Sequence, residues 1–287
     1  RFCTYDDLFD TLSQEAVQAL FIKDIAPIAL DAKSILNTGK SRHTHVQNIH
    51  AILGNRLLFH DTTDNEANWV KNYFLDCLKH LKTLPLLEGK TPLITGDGLY
   101  NNKNTRKHLK EQGFYYLLSI KSIPKYLEPL FARKRWVKQG KAKKRVKQKT
   151  IYSHYNLYRL RPNSEGIQYV LVVDKTICSN KKKQKTKKQQ TYITNCPDET
   201  LDYFQLKTQH WQVETFHKLK DGWFLEDRTH KSKQNAPVIS LMNNLLAFIT
   251  QFLGIKYQNE LKVLSFELYQ WLIHWLKKIY QTVLMRY

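Results

Sequence analysis

Two aspartates follow apolar runs of the sequence, at places where an acidic side chain can do chemistry. Asp31 closes the run at residues 26–30, and Asp97 follows the run Thr91–Gly96. Both runs are typical of buried strands, and side chains just beyond the carboxyl ends of strands in an open α/β sheet face the functional crevice. Either aspartate alone could be a helix cap or a loop residue. Two of them in one core favour a site for hard divalent cations, which take oxygen ligands.

Glu214 is the candidate for a third carboxylate, on a segment with helical periodicity. At helical spacing it shares one face with Trp211, Asp221 and two lysines, Lys207 and Lys218. An acid flanked by lysines can be a surface ion-pair ladder. Alternatively, Glu214 is a metal ligand while the two lysines hold a phosphate backbone. Two metals held about 3.5–4 Å apart would then stabilise the attacking and leaving oxygens of a phosphodiester displacement.

The charge of the chain indicates what kind of partner it has. Lysine and arginine number 46 against 25 aspartates and glutamates, which leaves a net charge of +21. This surplus predicts a polyanionic partner, most often nucleic acid. An anionic membrane surface is the alternative, and no lipidation signal supports it. Hydrophobic residues make up 42% of the chain, enough for a sizeable buried core.

The ends of the chain and its cysteines bear on its cellular setting. The sequence begins at Arg1 rather than Met, so we expect that something upstream is missing, and no secretory leader is visible. Residues 234–255 carry no formal charge and approach the length of a membrane span, but interior Asn, Thr and Gln residues favour a buried core helix. The four cysteines form no CxxC pair, which favours a reduced, cytosolic setting.

The periodicity of the sequence predicts an α/β core. After a helical remnant in residues 1–24, strands are predicted at 26–31, 43–53, 56–59, 91–96 and 114–120, and helices at 65–81 and 103–112. The second and third strands turn around Gly54-Asn55, and Gly113 stops the second helix. The order strand, strand, strand, helix, strand, helix, strand indicates a sheet that is partly antiparallel and partly parallel.

Residues 126–196 have a different character. Short aromatic and β-branched runs stand here among two basic segments that contain no acid, and we interpret the region as a β-rich insertion with two basic loops. Helices resume at 201–219 and 233–253. Aromatic and aliphatic residues at helical spacing between 264 and 283 predict a last, amphipathic helix.

Three motifs resemble those of the insertion-sequence DDE transposases, in particular the H-repeat-associated proteins. They are IALDAK at residues 28–33, LITGD at 93–97 with GFYYLLSIK at 113–121, and HWxxExxH at 210–217 continuing to FLED at 224–227. The third is the most specific, and Asn235-Ala236 and Asn243-Asn244-Leu245 resemble the closing helix of the family. The resemblance spans roughly residues 1–255 and is weakest in the basic insertion.

The resemblance implies an α/β fold with an RNase H-like mixed sheet and flanking helices, interrupted by a β-rich insertion. Residues 1–25 would be a helical remnant of an N-terminal region that is largely missing, and 26–125 and 197–257 the two parts of the catalytic core. Residues 126–196 would form the basic insertion and 258–287 the C-terminal amphipathic helix. The implied activity is cleavage of DNA at transposon ends and transfer of the freed 3′-hydroxyl to target DNA.

The resemblance also implies ligands and partners. Asp31, Asp97 and Glu214 would be the catalytic residues and would hold two Mg²⁺ ions, for which Mn²⁺ would substitute. The partner would be double-stranded DNA, bound by a homodimer in the bacterial cytoplasm or nucleoid and not at a membrane. Contacts to the DNA backbone are predicted for the basic residues Lys33, Lys121, Arg133, Lys134, Arg135, Lys143, Lys144, Arg145, Lys181, Lys182, Lys183, Lys207 and Lys218.

Departures from the family pattern leave other functions open. Ala32 stands in place of a glycine, Thr208 in place of an arginine, and Ser122-Ile123 in place of a GNQ motif, although none of these removes a predicted metal ligand. One alternative is a domesticated, non-catalytic protein that binds DNA through the basic insertion. Another is a related RNase H-like nuclease that cuts without joining.

Two other pairs of residues are of the types that bind transition metals. His43 and His45 lie two apart on a predicted strand and could bind a transition metal, but no cysteine or acid partner is evident. Cys178 and Cys196 lack the spacing of a zinc finger.

Overall fold

The structure is a computed structural model that describes residues 21–35, 46–54, 56–123, 125–146, 149–179 and 185–223, together with Ser240 and Asn244. The chain forms two compact units: Arg1–Asp31 with Ala67–Trp211, and Ala32–Glu66 with Gln212–Tyr287. Strand β1, Ile25–Ser34, belongs to both because the boundary falls after Asp31. Most of the predicted N-terminal helix, the His43/His45 pair and the predicted helices after residue 232, apart from Ser240 and Asn244, lie outside the described residues.

The second unit contains an antiparallel hairpin beside the end of β1. Strands β2, Gln47–Leu53, and β3, Arg56–Thr63, pair from Leu53↔Arg56 to Gln47↔Thr63, and the strand order is β3-β2-β1. Gly54 has a φ of 65°, a conformation that favours glycine, and it opens the turn. The prediction of two strands that turn at Gly54-Asn55 is confirmed.

Two short helices follow where one long helix was predicted at 65–81. They are α1, Glu66–Asn72, and α2, Phe74–Lys82. Trp69 and Phe74 are buried as expected, whereas Tyr73, at the break between the two helices, is 53% exposed. The prediction that Tyr73 lies on the buried side was therefore wrong.

Parallel strands organise the first unit. Strand β4, Thr91–Gly96, pairs in parallel with β1 and with β5, Tyr115–Ile120. Helix α3, Lys103–Glu111, connects β4 to β5; the Asn102 side chain caps its start by accepting a hydrogen bond from the Thr105 amide. Gly113, with a φ of 76°, follows its end. Together with the hairpin, these pairs confirm the prediction of a sheet that is partly antiparallel and partly parallel.

Four long antiparallel strands extend the sheet after the short helix α4, Glu128–Ala132. They are β6, Arg135–Val146; β7, Lys149–Arg159; β8, Tyr169–Ser179; and β9, Lys185–Thr194. Beyond β5 the order is β9-β8-β7-β6. The interpretation of the basic segments as loops was wrong for Lys141–Arg145, which lie in β6, and for Lys185–Lys188, which lie in β9; residues 181–184 lie outside the described residues. Lysine tolerates such strands because its aliphatic stem covers neighbouring side chains while the ammonium stays in water.

One hydrophobic core joins the parallel and antiparallel parts of the first unit. Buried side chains from β1, β4 and β5, among them Ile25, Leu93 and Leu117, pack in the same cluster as Leu157 of β7 and Leu171 of β8. The antiparallel strands are thereby fixed to the strands that carry Asp31 and Asp97. Within the described part of the chain, no helix is long and apolar enough to cross a membrane.

Candidate active site

Asp31 and Asp97 stand at the same register of two neighbouring parallel strands. Asp97 directly follows β4, whereas Asp31 lies three residues before the end of β1 at Ser34, so the prediction that this strand ends at Asp31 was wrong. The last registered pair between β1 and β4 is Ala29↔Thr95, and each aspartate stands two residues beyond its partner in that pair. The preceding residues 25–30 and 93–96 are buried, whereas both aspartates are half-buried. Adjacent strands are separated by roughly 4.8 Å, so two carboxylates at the same register can reach a common cation.

The loop after Asp97 is held by a chain of polar contacts. Asp97 Oδ1 accepts a hydrogen bond of 2.7 Å from the Leu99 amide. The Asn101 amide nitrogen Nδ2 donates to the Ser119 carbonyl at 2.9 Å, and Arg106 Nη1 donates to Asn101 Oδ1 at 2.7 Å. These contacts link the loop to β5 and α3, which restricts the directions that the Asp97 carboxylate can take.

A buried ion pair fixes Arg106 in turn. Arg106 Nη2 donates to Glu165 Oε2 at 2.7 Å, and the two side chains are 3% and 14% exposed. Glu165 stands in the connection between β7 and β8. The conformation of the loop that follows Asp97 therefore depends on Glu165, about 70 residues further along the chain.

Glycines 96 and 98 bring side chains close to Asp97. A Cβ at Gly96 would lie 3.1 Å from Leu118, so a larger residue is crowded there. A Cβ at Gly98 would lie 3.3 Å from Lys121 Cγ, so the Lys121 side chain runs along the backbone next to Asp97. Lys121 is exposed. Of the predicted DNA contacts, Lys121 thus lies beside one of the predicted catalytic carboxylates.

The helix predicted at 201–219 is two helices, α5, Tyr203–Gln209, and α6, Trp211–Trp223. The break at His210 coincides with a contact of 3.3 Å between His210 Nδ1 and the hydroxyl of Thr95 in β4. Thr95 stands two residues before Asp97, so this contact ties the junction of the two helices to the end of the strand. The single helical face predicted for Lys207 and Glu214 was wrong, because the two residues belong to different helices.

Helix α5 is anchored by its own first residue. The Tyr203 hydroxyl donates to the carbonyls of Cys196, at 3.1 Å, and Asp198, at 2.7 Å, and burial raises the pKa of Tyr203. The Asp202 carboxylate caps the helix by accepting from the amides of Phe204 and Gln205. The start of α5 is therefore held by hydrogen bonds within the first unit.

Glu214 lies on α6 and makes an ion pair with the lysine one turn later. Lys218 Nζ is 3.8 Å from Glu214 Oε2, and the two side chains are 66% and 42% exposed. This pair matches the ion-pair interpretation of the Glu214 segment. Its contribution to stability is small, because exposed pairs are worth about 0–1 kcal/mol, so Glu214 can exchange this partner for another cation.

Some of the basic residues that were predicted to contact DNA are buried, and others are exposed. Lys33 and Lys207 are buried, at 8% and 9% exposure, and Lys207 Nζ lies 5.9 Å from the ring centroids of both Tyr192 and Phe204. The exposed residues of the set are Lys121, Arg133, Lys134, Arg135, Lys143, Lys144, Arg145 and Lys218. Lys181, Lys182 and Lys183 lie outside the described residues.

One face of β6 and β7 is both basic and aromatic. Lys141, Lys143 and Arg145 alternate along β6 and are exposed; Lys143 stands opposite Tyr152, with its Nζ 5.5 Å from the ring centroid. Trp136 at the start of this face is 59% exposed. The opposite face of β7 packs on α5, where Tyr155 stacks on Phe204 at 4.7 Å. The aromatic members were missed from the sequence, although a tryptophan inside a lysine-rich segment is a signal for a nucleic-acid surface.

The residues present provide donors that suit a divalent cation. Asp31 and Asp97 supply carboxylate oxygens, the ligands preferred by Mg²⁺. In the described part of the chain, no group of three or more His, Cys, Asp and Glu side chains is gathered as a metal cage. Among the described residues, Cys77, Cys178 and Cys196 form no disulfide.

Comparison with known proteins identifies the family of the chain. Residues 24–249 match the family described as Transposase DDE domain, and the chain belongs to that family. No curated protein matches the sequence. A solved structure, a piggyBac transposase synaptic complex with hairpin DNA, aligns with a TM-score of 0.43 and 10% sequence identity over 81% of this chain. The aligned region spans 48% of that transposase chain, about half its length.

Proposed function

We propose that the chain is an active transposase that cleaves phosphodiester bonds at transposon ends and transfers the 3′-hydroxyl to target DNA. The observation that carries this proposal is the pairing of Asp31 and Asp97 beyond the register Ala29↔Thr95, in a chain that belongs to the Transposase DDE domain family.

In this proposal Asp31, Asp97 and Glu214 hold two Mg²⁺ ions, for which Mn²⁺ substitutes. When bound, the ions would activate the attacking oxygen and stabilise the leaving oxygen. Glu214 is included because it stands in the HWxxExxH motif at 210–217, which lies within the residues that match the family. The order of strands and helices up to β5 supports an RNase H-like core, with β6–β9 as its insertion.

In this proposal, basic residues outside the metal site bind and position the DNA. Lys121, whose side chain runs along Gly98, would neutralise a phosphate next to the cleavage site. The basic and aromatic face of β6 and β7 would track the backbone of double-stranded DNA further away. Because both transposon ends must be handled together, we propose a homodimer on DNA, acting in the bacterial cytoplasm.

A second function is favoured by one observation. Glu214 makes an ion pair of 3.8 Å with Lys218, a contact that an acid without a catalytic role would also make. The chain would then be a domesticated transposase that binds DNA without cutting it. A nuclease that cuts without joining would share the metal dependence and lack the strand-transfer product.

The test is cleavage of duplex DNA carrying the element's ends, with Mg²⁺ or Mn²⁺ against EDTA. The variants are Asp97→Asn and Glu214→Gln, and the matched controls are Asp76→Asn and Glu111→Gln, whose carboxylates are exposed on α2 and α3. We expect metal-dependent cutting and a joined product in wild type and controls, and loss of both in the two site variants with DNA binding retained. DNA binding without cutting in the wild type would support the second function instead.

A further inference from the structure

A chain of buried polar side chains in the second unit includes a histidine that the proposed mechanism does not use. His50 of β2 is fully buried, and its Nδ1 lies 3.0 Å from Nε2 of His217 on α6, which is 9% exposed. On its other side, His50 Nε2 lies 3.2 Å from Oδ1 of Asn244, also fully buried. Both nitrogens of His50 are therefore engaged inside the protein.

The geometry matches one arrangement of hydrogen bonds between neutral rings. When the His50 Nε2–H group donates to Asn244 Oδ1, His50 Nδ1 is an acceptor, and the Nε2–H group of His217 is its donor. The hydrogen bonds then run in one direction, from His217 to His50 to Asn244.

The surroundings of the pair are largely aromatic. Phe216 meets the His50 ring edge-on, with centroids 5.3 Å apart, and the His60 ring lies 5.4 Å from it. His60 Nε2 lies in turn 3.3 Å from the Ser240 hydroxyl. In such surroundings a hydrogen bond is strong and an unmade one is costly, so the His217–His50 bond has a large influence on the orientation of α6.

His217 stands three residues after Glu214 on the same helix. Val213 and Phe216 of this helix are buried and pack α6 into the second unit. Apolar packing of this kind is non-directional, so it does not by itself fix the rotation of the helix about its axis. A hydrogen bond between two rings is directional, and it opposes rotation of the helix about its axis. Residues three apart on a helix are neighbours on its surface, so a rotation at His217 redirects the Glu214 carboxylate as well.

We propose that His50 is a positioning residue that fixes the rotation of α6 through His217 and thereby the direction in which Glu214 is presented. This role rests on the proposed function, in which Glu214 is a metal ligand. A metal ligand has to be held within about 0.5 Å and 10–20° of its productive geometry. Loss of the contacts that support it typically lowers the affinity for the metal about 10–100-fold.

The first measurement asks whether the hydrogen bond exists. In protein labelled with ¹⁵N-histidine, the N–H···N bond gives a scalar coupling between His217 Nε2 and His50 Nδ1, and we expect this coupling in wild type. We expect it to vanish in His217→Leu and in His50→Leu. Absence of the coupling in wild type overturns the proposal without touching the proposed function, which the cleavage assay tests separately.

The second measurement is the rate of DNA cleavage as a function of Mn²⁺ concentration. In His217→Leu we expect the midpoint to rise about ten-fold, while DNA binding is unchanged. His217→Gln places an amide donor where Nε2 stands and should restore the midpoint to near the wild-type value. The control is Ile49→Val or Ile49→Ala, whichever matches the thermal stability of His217→Leu, since Ile49 is a buried neighbour of His50 that makes no part of the polar chain.

A merely structural role predicts a different pattern. If His217→Leu and the Ile49 variant of equal stability shift the Mn²⁺ midpoint equally, or if His217→Gln fails to rescue, the positioning role is wrong and the proposed function stands. If the wild type shows no metal-dependent cleavage at all, the proposed function fails and the positioning of Glu214 falls with it.

Discussion

Removal of the Glu165 carboxylate should destabilise the protein more than removal of any exposed acid. Its partner Arg106 is 3% exposed and donates to Glu165 Oε2 at 2.7 Å. Breaking a buried ion pair costs about 3–5 kcal/mol because an uncompensated charge remains. Arg106 keeps the Asn101 acceptor at 2.7 Å, so we place Glu165→Ala at the lower end, about 3 kcal/mol. Glu165→Gln, which retains a neutral acceptor, should cost about 2 kcal/mol, since charge-assisted bonds are roughly twice as strong as neutral ones.

The assay is thermal and urea unfolding of both variants beside wild type. With about 2–4 °C of melting temperature per kcal/mol for a domain of this size, Glu165→Ala should lower the melting temperature by about 6–12 °C. The control is Glu111→Ala, which breaks an exposed pair with Lys107 at 3.7 Å and should cost less than about 0.5 kcal/mol. In hydrogen exchange, the Leu99 amide that donates to Asp97 should lose protection in Glu165→Ala.

The reasoning is refuted if Glu165→Ala and Glu111→Ala lose equal stability. It is also refuted in its functional part if Glu165→Ala is destabilised but exchange at Leu99 is unchanged. In that case the ion pair would stabilise the fold without holding the loop that follows Asp97.

Three further predictions follow from single features of the structure. Hydrogen bonds from the Thr200 hydroxyl and then from Lys23 lower the pKa of Asp198 to about 2. Because the unfolded value is about 3.9, the stabilisation is full above about pH 4 and is lost as the pH falls through 2. Urea unfolding should therefore show a gap between wild type and Asp198→Asn that is constant at neutral pH and closes in this window; a pH-independent gap contradicts the assignment. A Cβ at Gly140 would overlap the Tyr155 ring that stacks on Phe204, so Gly140→Ala should cost about 1–3 kcal/mol, and calorimetry showing no loss would mean that the ring moves freely. Replacing Lys141, Lys143 and Arg145 by Gln should lower the slope of log DNA affinity against log salt concentration by about 0.9 per lost phosphate contact, measured by fluorescence anisotropy. The control is the same triple change at Lys71, Lys79 and Lys82, and an equal loss of slope in the control would contradict a DNA-binding role of this surface.

Local signals in the sequence predicted the elements that carry the two aspartates. The apolar run Thr91–Gly96 is a strand because its β-branched residues fit a buried sheet, and Asp97 marks its end. Gly113 ends α3 because its positive φ is available to glycine alone at little cost. Gly54 sets the β2–β3 turn for the same reason. These features depend on neighbours in sequence, which periodicity can detect.

Features that depend on distant partners could not be predicted in this way. The break between α5 and α6 falls at His210, which contacts Thr95, 115 residues away. Lys207 is buried because Tyr192 and Phe204 lie around it, and its sequence neighbourhood resembles an exposed helix face. The basic segment of β6 is a strand because β7 pairs with it. Lysine itself has a low propensity for strands, so the local sequence did not predict this. The contact between His50 and His217 spans 167 residues and has no local signature.

The central claim is that Asp31, Asp97 and Glu214 hold the same divalent ions, and cleavage of the protein by bound iron tests it most directly. Fe²⁺ in place of Mg²⁺, with ascorbate and peroxide, cuts the backbone within a few residues of the metal, and fragment masses locate the cuts. We predict cuts near all three carboxylates, suppressed by excess Mg²⁺, absent in Asp97→Asn and retained in Asp76→Asn. Cuts near only one of the three residues, or a pattern unchanged in Asp97→Asn, would contradict a shared site.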